Sequence, residues 1–293
     1  MTPAAVAPAT VAIALSDAGR RLAAAGLVTA RQDAEVLLAR ALGTTRLGLY
    51  TTGRARVPRA AGAAFETLVA RRAAHEPLQY LLGEAELSGV VLELGPGVFI
   101  PRPETEALVD RAVTLGPPGV ATVLDLCTGS GAIACALATR RPGWTIWGVE
   151  RARTAADCAR ANVRRLGLEA RVRVREGDLF GPLRDAVAAG AVDLVVANPP
   201  YLAAPILPTL PVEVREWEPW EALDGGADGL DVIRRLLAQA PEWLHPGGEL
   251  LVEIGEEQGP AVRAIVAAEA RYAAALVHRD FRGCERVLEA RRR

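Results

Sequence analysis

Ala and Leu recur at helical spacing in Val11–Ala25, Asp33–Leu42 and Ala60–Ala74, with no strand-like alternation between them. This pattern predicts a small helical N-terminal domain over residues 1–83. Thr29 or Asp33 can cap the second segment, and Pro58 and Pro77 mark helix starts. The pattern changes at 84. Val90–Leu94, then Gly95-Pro96-Gly97, then Val98–Ile100 reads as a β-hairpin around a Gly/Pro turn, a link spanning residues 84–102. A helix starts near Pro103, opening a third region over 103–293.

From 121 onward strands and helices alternate. Strands are predicted at Ala121–Leu126, Thr145–Val149, Arg171–Arg175, Val192–Ala197, Glu249–Glu253, Ala274–His278 and Glu285–Ala290. Helices are predicted at Gly131–Arg140, Thr154–Leu166, Pro182–Ala189, Leu230–Ala240 and Pro260–Ala268, with a long loop from the fourth strand to Gly229. Alternation of this kind makes an α/β fold: a seven-stranded, Rossmann-like sheet, mostly parallel, ending in an antiparallel hairpin and covered by helices on both faces. Ligands of such sheets bind at the carboxyl ends of the strands.

Charge adds exclusions. The 293 residues carry 34 basic and 35 acidic side chains, net -1, which argues against a protein held mainly to nucleic-acid phosphates. Every basic residue is Arg, so P-loop, kinase and Schiff-base lysines are excluded. Cys127, Cys135, Cys158 and Cys284 include no CxxC pair, and His75, His245 and His278 lie far apart, so neither a disulfide framework nor a metal site is indicated. The N-terminal stretch MTPAAVAPATVAIAL lacks the basic start of a signal peptide, and no run is apolar enough to span a membrane. A reducing cytoplasm is expected.

Asp125-Leu126-Cys127-Thr128-Gly129-Ser130-Gly131 joins the first strand to its helix. Gly129 and Gly131 allow positive φ and close approach of a ligand, and the helix that follows points its N–H groups there. The turn is not GxGxxG and no GK[ST] follows, so it suits a nucleoside with a carboxylate rather than a pyrophosphate. Glu150 ends the second strand, where a carboxylate can accept both ribose hydroxyls. Asp178 and Leu179 follow the third strand; Asp178 can accept from the exocyclic amine of adenine while Leu179 covers its ring. Together the three strand ends suggest a site for S-adenosylmethionine.

Asn198-Pro199-Pro200-Tyr201 follows the fourth strand. Two prolines fix φ twice and remove two N–H donors, leaving a stiff loop of bare carbonyls. The Asn198 side-chain oxygen and the Pro199 carbonyl can both accept from one planar NH2 group, and Tyr201 adds an aromatic face. An amide nitrogen is a poor nucleophile because its lone pair is delocalised, with resonance behind a rotation barrier of about 18–20 kcal/mol. Two acceptors on its hydrogens raise electron density on nitrogen and align it for attack on a methyl sulfonium.

On these residues the chain resembles the HemK/PrmC family of release-factor glutamine methyltransferases, which are class I S-adenosylmethionine-dependent enzymes. The likeness extends to Arg71–Gly83, Ile100–Glu106, Glu216–Pro219, Leu223–Gly226, Asp228–Leu230, and Glu253–Gly255 with Gln258-Gly259. It implies methyl transfer to the side-chain amide of Gln in the Gly-Gly-Gln motif of peptide chain release factors. By the same resemblance Asn198, Pro199 and Tyr201 are the catalytic contacts and, with Pro200, hold the substrate amide. Asp125, Cys127, Thr128, Gly129, Ser130, Gly131, Glu150, Asp178, Leu179 and Asn198 then face the cofactor, and no metal is involved. Glu150 replaces the commoner Asp. Glu86-Leu87-Ser88-Gly89 stands where the family usually has an aromatic, and Cys127 where it usually has Gly, which predicts a backbone without positive φ at 127.

Two other proteins could use the same loop: a relative acting on a ribosomal-protein glutamine, and an enzyme acting on a small-molecule or nucleic-acid amine such as adenine N6. Pro101-Arg102-Pro103-Glu104 favours the release-factor branch over V-P-R-S-P. Net charge and the lack of a target-recognition insertion oppose nucleic acid. A non-catalytic binding protein would not need an intact Asn-Pro-Pro-Tyr. The expected partner is a protein, with no direct nucleic-acid or membrane contact, and the chain itself a monomer.

Overall fold

The computed structural model describes residues 9–293. Residues 1–8, the start of the N-terminal stretch MTPAAVAPATVAIAL and of the 1–83 region, lie outside that description. The chain divides into two compact units, one of residues up to Gly83 together with Val212–Trp217, the other of Glu84–Pro211 and Glu218–Arg293.

The first unit is helical: α1 (Val11–Ala24), α2 (Ala30–Leu42), α3 (Arg46–Thr51), α4 (Arg59–Ala73) and α5 (Leu78–Leu82). Thr10 caps α1 by accepting from the Ile13 N–H at 3.4 Å. Neither candidate cap of α2 acts as one. Thr29 occupies the cap position without a side-chain bond, and Asp33 is drawn inward to the Arg72 guanidinium. α3 and α5 are too short for a periodic signal, and tertiary packing forms them: Leu49 and Leu81 join Leu22, Leu37, Leu38, Phe65 and Val69 in one apolar core.

Arg72 is the polar centre of this core. It is 3% exposed and binds Asp33 Oδ2 and Glu213 Oε2, each at 2.7 Å, and the Glu76 carbonyl at 2.9 Å.

The second unit begins with a hairpin of β1 (Glu84–Leu87) and β2 (Val90–Glu93), paired Leu87↔Val90. The sequence placed this turn at Gly95-Pro96-Gly97; it lies at Ser88-Gly89, and Val98–Ile100 is not a strand. Ser88 and Gly89 have φ of 50° and 78°, the two left-handed residues whose twist matches flanking strands in a two-residue turn. A single turn of 3-10 helix at Pro103–Thr105 then leads into α6 (Glu106–Leu115), so the regular helix starts later than Pro103.

The sheet follows: β3 (Ala121–Leu126), α7 (Ala132–Arg140), β4 (Trp144–Glu150), α8 (Arg153–Arg165), β5 (Val172–Glu176), β6 (Val192–Ala197), α10 (Asp231–Trp243) after α9 (Val212–Arg215), β7 (Leu244–Glu253), α11 (Gly259–Ala268), β8 (Tyr272–Arg279) and β9 (Glu285–Arg292). Its seven strands run in the order β5-β4-β3-β6-β7-β9-β8, with only the β9 pairings antiparallel. Strand order reverses between β3 and β6, the position at which ligands of open α/β sheets bind. The central strands are apolar on both faces, as burial under helices on both sides requires.

Two expectations fail here. The helix at 182–189 shrinks to a 3-10 turn at Gly181–Leu183, and the long loop after β6 contains α9 and two 3-10 turns. At the sheet edge the alternating Val172-Arg173-Val174-Arg175 puts two guanidinium groups over the Trp147 ring, 5.0 and 5.3 Å from its centroid.

Replacing Arg72 by Ala would strand Asp33 in the helical core. We expect a loss of about 3–5 kcal/mol in chemical unfolding followed by circular dichroism, with most of it regained in Arg72→Met/Asp33→Leu. A loss under about 1 kcal/mol in the single variant would show that the buried ion pair is not what holds this unit.

Candidate active site

β3 and β6 leave the sheet side by side, because Leu126 and Ala197 are register partners in parallel pairing. The glycine-rich turn after β3 and the Asn-Pro-Pro-Tyr loop after β6 therefore start from adjacent points on one edge. Glu150 closes β4 on the other side of β3, and Asp178 follows β5.

The turn after β3 is tightly specified. Asp125 is fully buried; its Oδ2 accepts from the Thr128 hydroxyl at 2.5 Å and from the Ala134 N–H at 3.0 Å, tying the strand to the first turn of α7. Burial pushes the Asp125 carboxyl up to about 7, against the pull of those two donors. Its Oδ1 has no hydrogen-bond partner among the described residues. Gly131 has φ of 81°, and a Cβ there would sit 3.2 Å from that of Ala159, so both conformation and space demand Gly. A Cβ at Gly129 would meet nothing within 4 Å, although its φ of +56° is one that side chains rarely adopt.

Cys127 departs from expectation. Its φ is 59°, in the left-handed region after all. For a residue with a Cβ this costs about 1–2 kcal/mol, so the sheet and α7 impose the conformation in spite of the side chain. Burial and the neighbouring carboxylates Glu150 and Asp125 push its thiol upward, so it is no thiolate nucleophile.

Glu150 accepts from the Gly129 N–H at 2.9 Å through one oxygen and from the Ala152 N–H at 2.8 Å through the other. Each oxygen keeps a lone pair, so the pre-aimed carboxylate can still receive two hydroxyls. Thr128 and Ser130 are buried, and the Ser130 carbonyl takes a bond from Asn162 Nδ2 at 3.0 Å. Leu179 is buried at φ 47° and packs into the apolar core. Asp178 is half-exposed and bound to Arg235.

The loop after β6 is braced from several directions. Asn198 is half-buried, with Nδ2 3.3 Å from the Thr105 hydroxyl oxygen. Pro199 is buried and Pro200 half-buried. The Tyr201 hydroxyl donates to Glu253 Oε1 at 3.2 Å, and the partly buried side chain packs against the apolar core. The Tyr201 carbonyl accepts from Gln258 Nε2 at 2.9 Å, and Gln258 Oε1 accepts from the Gly255 N–H at 2.8 Å. Beyond Tyr201 the chain pairs with Leu223–Gly226 through Leu202. A Cβ at Gly229 would lie 2.3 Å from the Tyr201 carbonyl, so only Gly lets that segment pass.

Sequence reasoning gave no role to Thr105, Glu218, Glu253 or Gln258. Glu218 is buried, binds Arg102, and accepts from the Ile100 N–H at 3.1 Å. Glu253 is fully buried at the end of an apolar strand; a charge closing such a run was the available signal. Burial pushes its carboxyl up to about 7, with Glu104 adding to the rise and Thr105, Arg286 and Tyr201 opposing it.

A mostly parallel seven-stranded sheet carrying a glycine turn, a strand-end carboxylate and an Asn-Pro-Pro-Tyr loop at its switch point defines the class: a methyltransferase. The PrmC N-terminal domain family matches residues 14–83, and the methyltransferase small domain family matches residues 105–205. The release factor glutamine methyltransferase of Moorella thermoacetica is 42% identical over 97% of this chain and 99% of its own. That of Geobacter sulfurreducens is 46% identical over 82% of each chain. A crystal structure of a methyltransferase from Pyrococcus furiosus, 18% identical, superposes with a TM-score of 0.50 over 68% of this chain and 87% of that one, a likeness of fold. The chain belongs to the release factor glutamine methyltransferase family.

The raised Glu253 carboxyl has a signed consequence. Its folded value lies above the ordinary 4.5, so ionisation opposes folding: the penalty is absent below that value, grows as pH rises and is complete above about 7. The unfolding free energy of Glu253→Gln, less that of the parent, should therefore shift in favour of the variant between about pH 5 and about pH 8. A difference that stays flat or runs the other way would refute the buried-carboxylate assignment.

Proposed function

We infer that this chain transfers a methyl group from S-adenosylmethionine to the side-chain amide nitrogen of a glutamine in peptide chain release factors, that of the Gly-Gly-Gln motif. The observation that carries this reading is the parallel register Leu126↔Ala197, which starts the glycine turn and the Asn-Pro-Pro-Tyr loop from neighbouring strand ends. A donor on the first and an acceptor amide on the second would meet over one edge of the sheet.

The donor, when bound, supplies an electrophilic methyl on a sulfonium. Asp125, Cys127, Thr128, Gly129, Ser130 and Gly131 form its cradle; Asp125 Oδ1, without a hydrogen-bond partner among the described residues, and the open space beside Gly129 fit such a group. Glu150 accepts the ribose hydroxyls. Leu179 flanks the adenine, and Asp178 reaches its amine if Arg235 shares the carboxylate. The Asn198 side-chain oxygen and the Pro199 carbonyl take the two hydrogens of the substrate NH2. They thereby hold its nitrogen in line and favour the positive charge that develops on it. Pro200 stiffens the loop and the Tyr201 ring covers the amide. No strong base is needed before attack, because the proton becomes acidic once the nitrogen has been alkylated.

The helical region over 1–83 recognises the protein partner, 84–102 links it, and 103–293 carries the chemistry. The chain acts as a cytoplasmic monomer without direct nucleic-acid contact. Balanced charge supports the last point, and among the described residues no helix is long and apolar enough to cross a membrane.

Asn198→Ala should lower transfer from labelled S-adenosylmethionine to purified release factor about 10²–10³-fold, with the cofactor still binding. Full activity in that variant would sink the mechanism. Label passing to a ribosomal protein, a nucleic acid or a small molecule, and not to the release factor, would replace the substrate.

A further inference from the structure

We propose that Gln258 is a positioning residue for the methyl transfer: its side-chain amide pins the peptide plane that follows Tyr201, and the two prolines before that plane pass the constraint back to the Pro199 carbonyl. This rests on the Pro199 carbonyl being an acceptor for the substrate NH2. Pro199 and Pro200 carry no N–H, so half of the Asn198–Tyr201 loop cannot donate a backbone hydrogen bond. Such a stretch is anchored through its carbonyls, which need donors from elsewhere in the chain.

The Gln258 amide uses both of its hydrogens and its oxygen. Nε2 donates to the Tyr201 carbonyl at 2.9 Å and to the Gly229 carbonyl at 3.2 Å, and Oε1 accepts from the Gly255 N–H at 2.8 Å. These partners fix which way round the amide lies. A backbone N–H only donates and a carbonyl only accepts, so a reversed amide would mismatch all three contacts. The backbone beneath the side chain is fixed as well. The Gln258 N–H donates to the Gly255 carbonyl, and the Gln258 carbonyl accepts from the Val262 N–H in the first turn of α11, both at 3.0 Å. On the far side Gly229 has no room for a Cβ, which would lie 2.7 Å from Gln258 Nε2. That glycine lets two carbonyls from distant segments converge on one NH2 group.

The grip reaches the site along a short, stiff path. The Leu202 N–H donates to the Leu223 carbonyl at 3.0 Å, so the peptide plane joining Tyr201 to Leu202 is held at both of its polar groups. At the other end Ala197 is locked in the sheet between Leu126 and Val252. Between these anchors the two proline rings fix φ, and Pro200 confines Pro199 to extended ψ. Few soft torsions remain in which the Pro199 carbonyl could turn away. Without the Gln258 grip the plane after Tyr201 is free to rock, and the acceptor two peptide planes earlier rocks with it. Attack on a sulfonium methyl depends on the alignment of the nitrogen, so the loss falls on the rate. Gln258 acts on the substrate only through this loop.

The test compares Gln258→Met and Gln258→Glu with the parent, using release factor and S-adenosylmethionine at saturation and measuring cofactor affinity separately, once circular dichroism has shown each variant to be folded. Gln258→Met keeps the length and loses every side-chain hydrogen bond; kcat should fall about tenfold. Cofactor affinity should hold, because neither Gln258 nor its three partners belongs to the cradle after β3. Gln258→Glu adds a pH profile that a merely structural prop would not give. Ionised, the new carboxylate sets oxygen against two carbonyls and donates nothing; protonated, it donates one hydrogen while its other oxygen still accepts from Gly255. Its kcat relative to the parent should therefore rise severalfold as pH falls from about 8 to about 5, while the ratio for Gln258→Met stays flat. If Gln258→Met fails to fold, the pH profile of Gln258→Glu decides alone. Parental kcat in either variant at pH of about 8, a Gln258→Glu ratio that does not move with pH, or a loss of cofactor affinity as large as the loss of kcat would overturn the role of Gln258. Loss of transfer in Asn198→Ala alongside such an outcome would leave the site itself standing, whereas an active Asn198→Ala would remove both the site and the role built on it.

Discussion

In a parallel sheet successive strands end at the same edge, and a reversal of strand order leaves a gap between the connections that follow them. Here that gap lies between β3 and β6, whose last residues Leu126 and Ala197 face each other. Everything proposed for the site depends on this pairing. It sets the glycine turn beside the Asn-Pro-Pro-Tyr loop, and β4 and β5 carry Glu150 and Asp178 along the same edge. Asp125, tied to the Thr128 hydroxyl and the Ala134 N–H, anchors the end of β3 to α7 at this position.

The cost of the arrangement appears in its polar residues. Asp125 and Glu253 are carboxylates with no exposure, each with one oxygen lacking a hydrogen-bond partner among the described residues. Burying such groups opposes folding, and their carboxyls rise to about 7 as a result. Cys127 adds strain by holding a left-handed φ. These departures cluster at the carboxyl edge of the sheet, while the strands that carry them follow the rules of an apolar core. Strain and buried charge concentrated at one edge are expected where geometry serves a ligand rather than stability.

Much of this was legible in the residues. Strands β3 and β6 begin and end where periodicity placed them, because their apolar runs are bounded by polar or turn-forming residues. The glycine turn and the Asn-Pro-Pro-Tyr loop were readable because few other roles demand those residues in that order. What escaped depends on distant contacts. The hairpin turn was assigned to the Gly/Pro cluster at 95–97, while Ser88-Gly89, a weaker signal, makes it. Asp33 resembled a helix cap, yet its partner Arg72 lies far along the chain. Thr105, Glu253 and Gln258 brace the Asn-Pro-Pro-Tyr loop from remote segments, and no local pattern announces that. With no lysine in the chain, arginines stack on Trp147 and anchor the buried Asp33 carboxylate in a manner suited to a planar fork.

The central claim is that a planar amide is gripped by the loop after β6 and methylated on nitrogen. The most direct measurement is peptide mapping by mass spectrometry of purified release factor after incubation with this protein and S-adenosylmethionine. The account predicts one added methyl group, on the side-chain nitrogen of the glutamine in Gly-Gly-Gln. A methyl group on any other residue, or a release factor left unmodified while the cofactor is consumed on another acceptor, would contradict it.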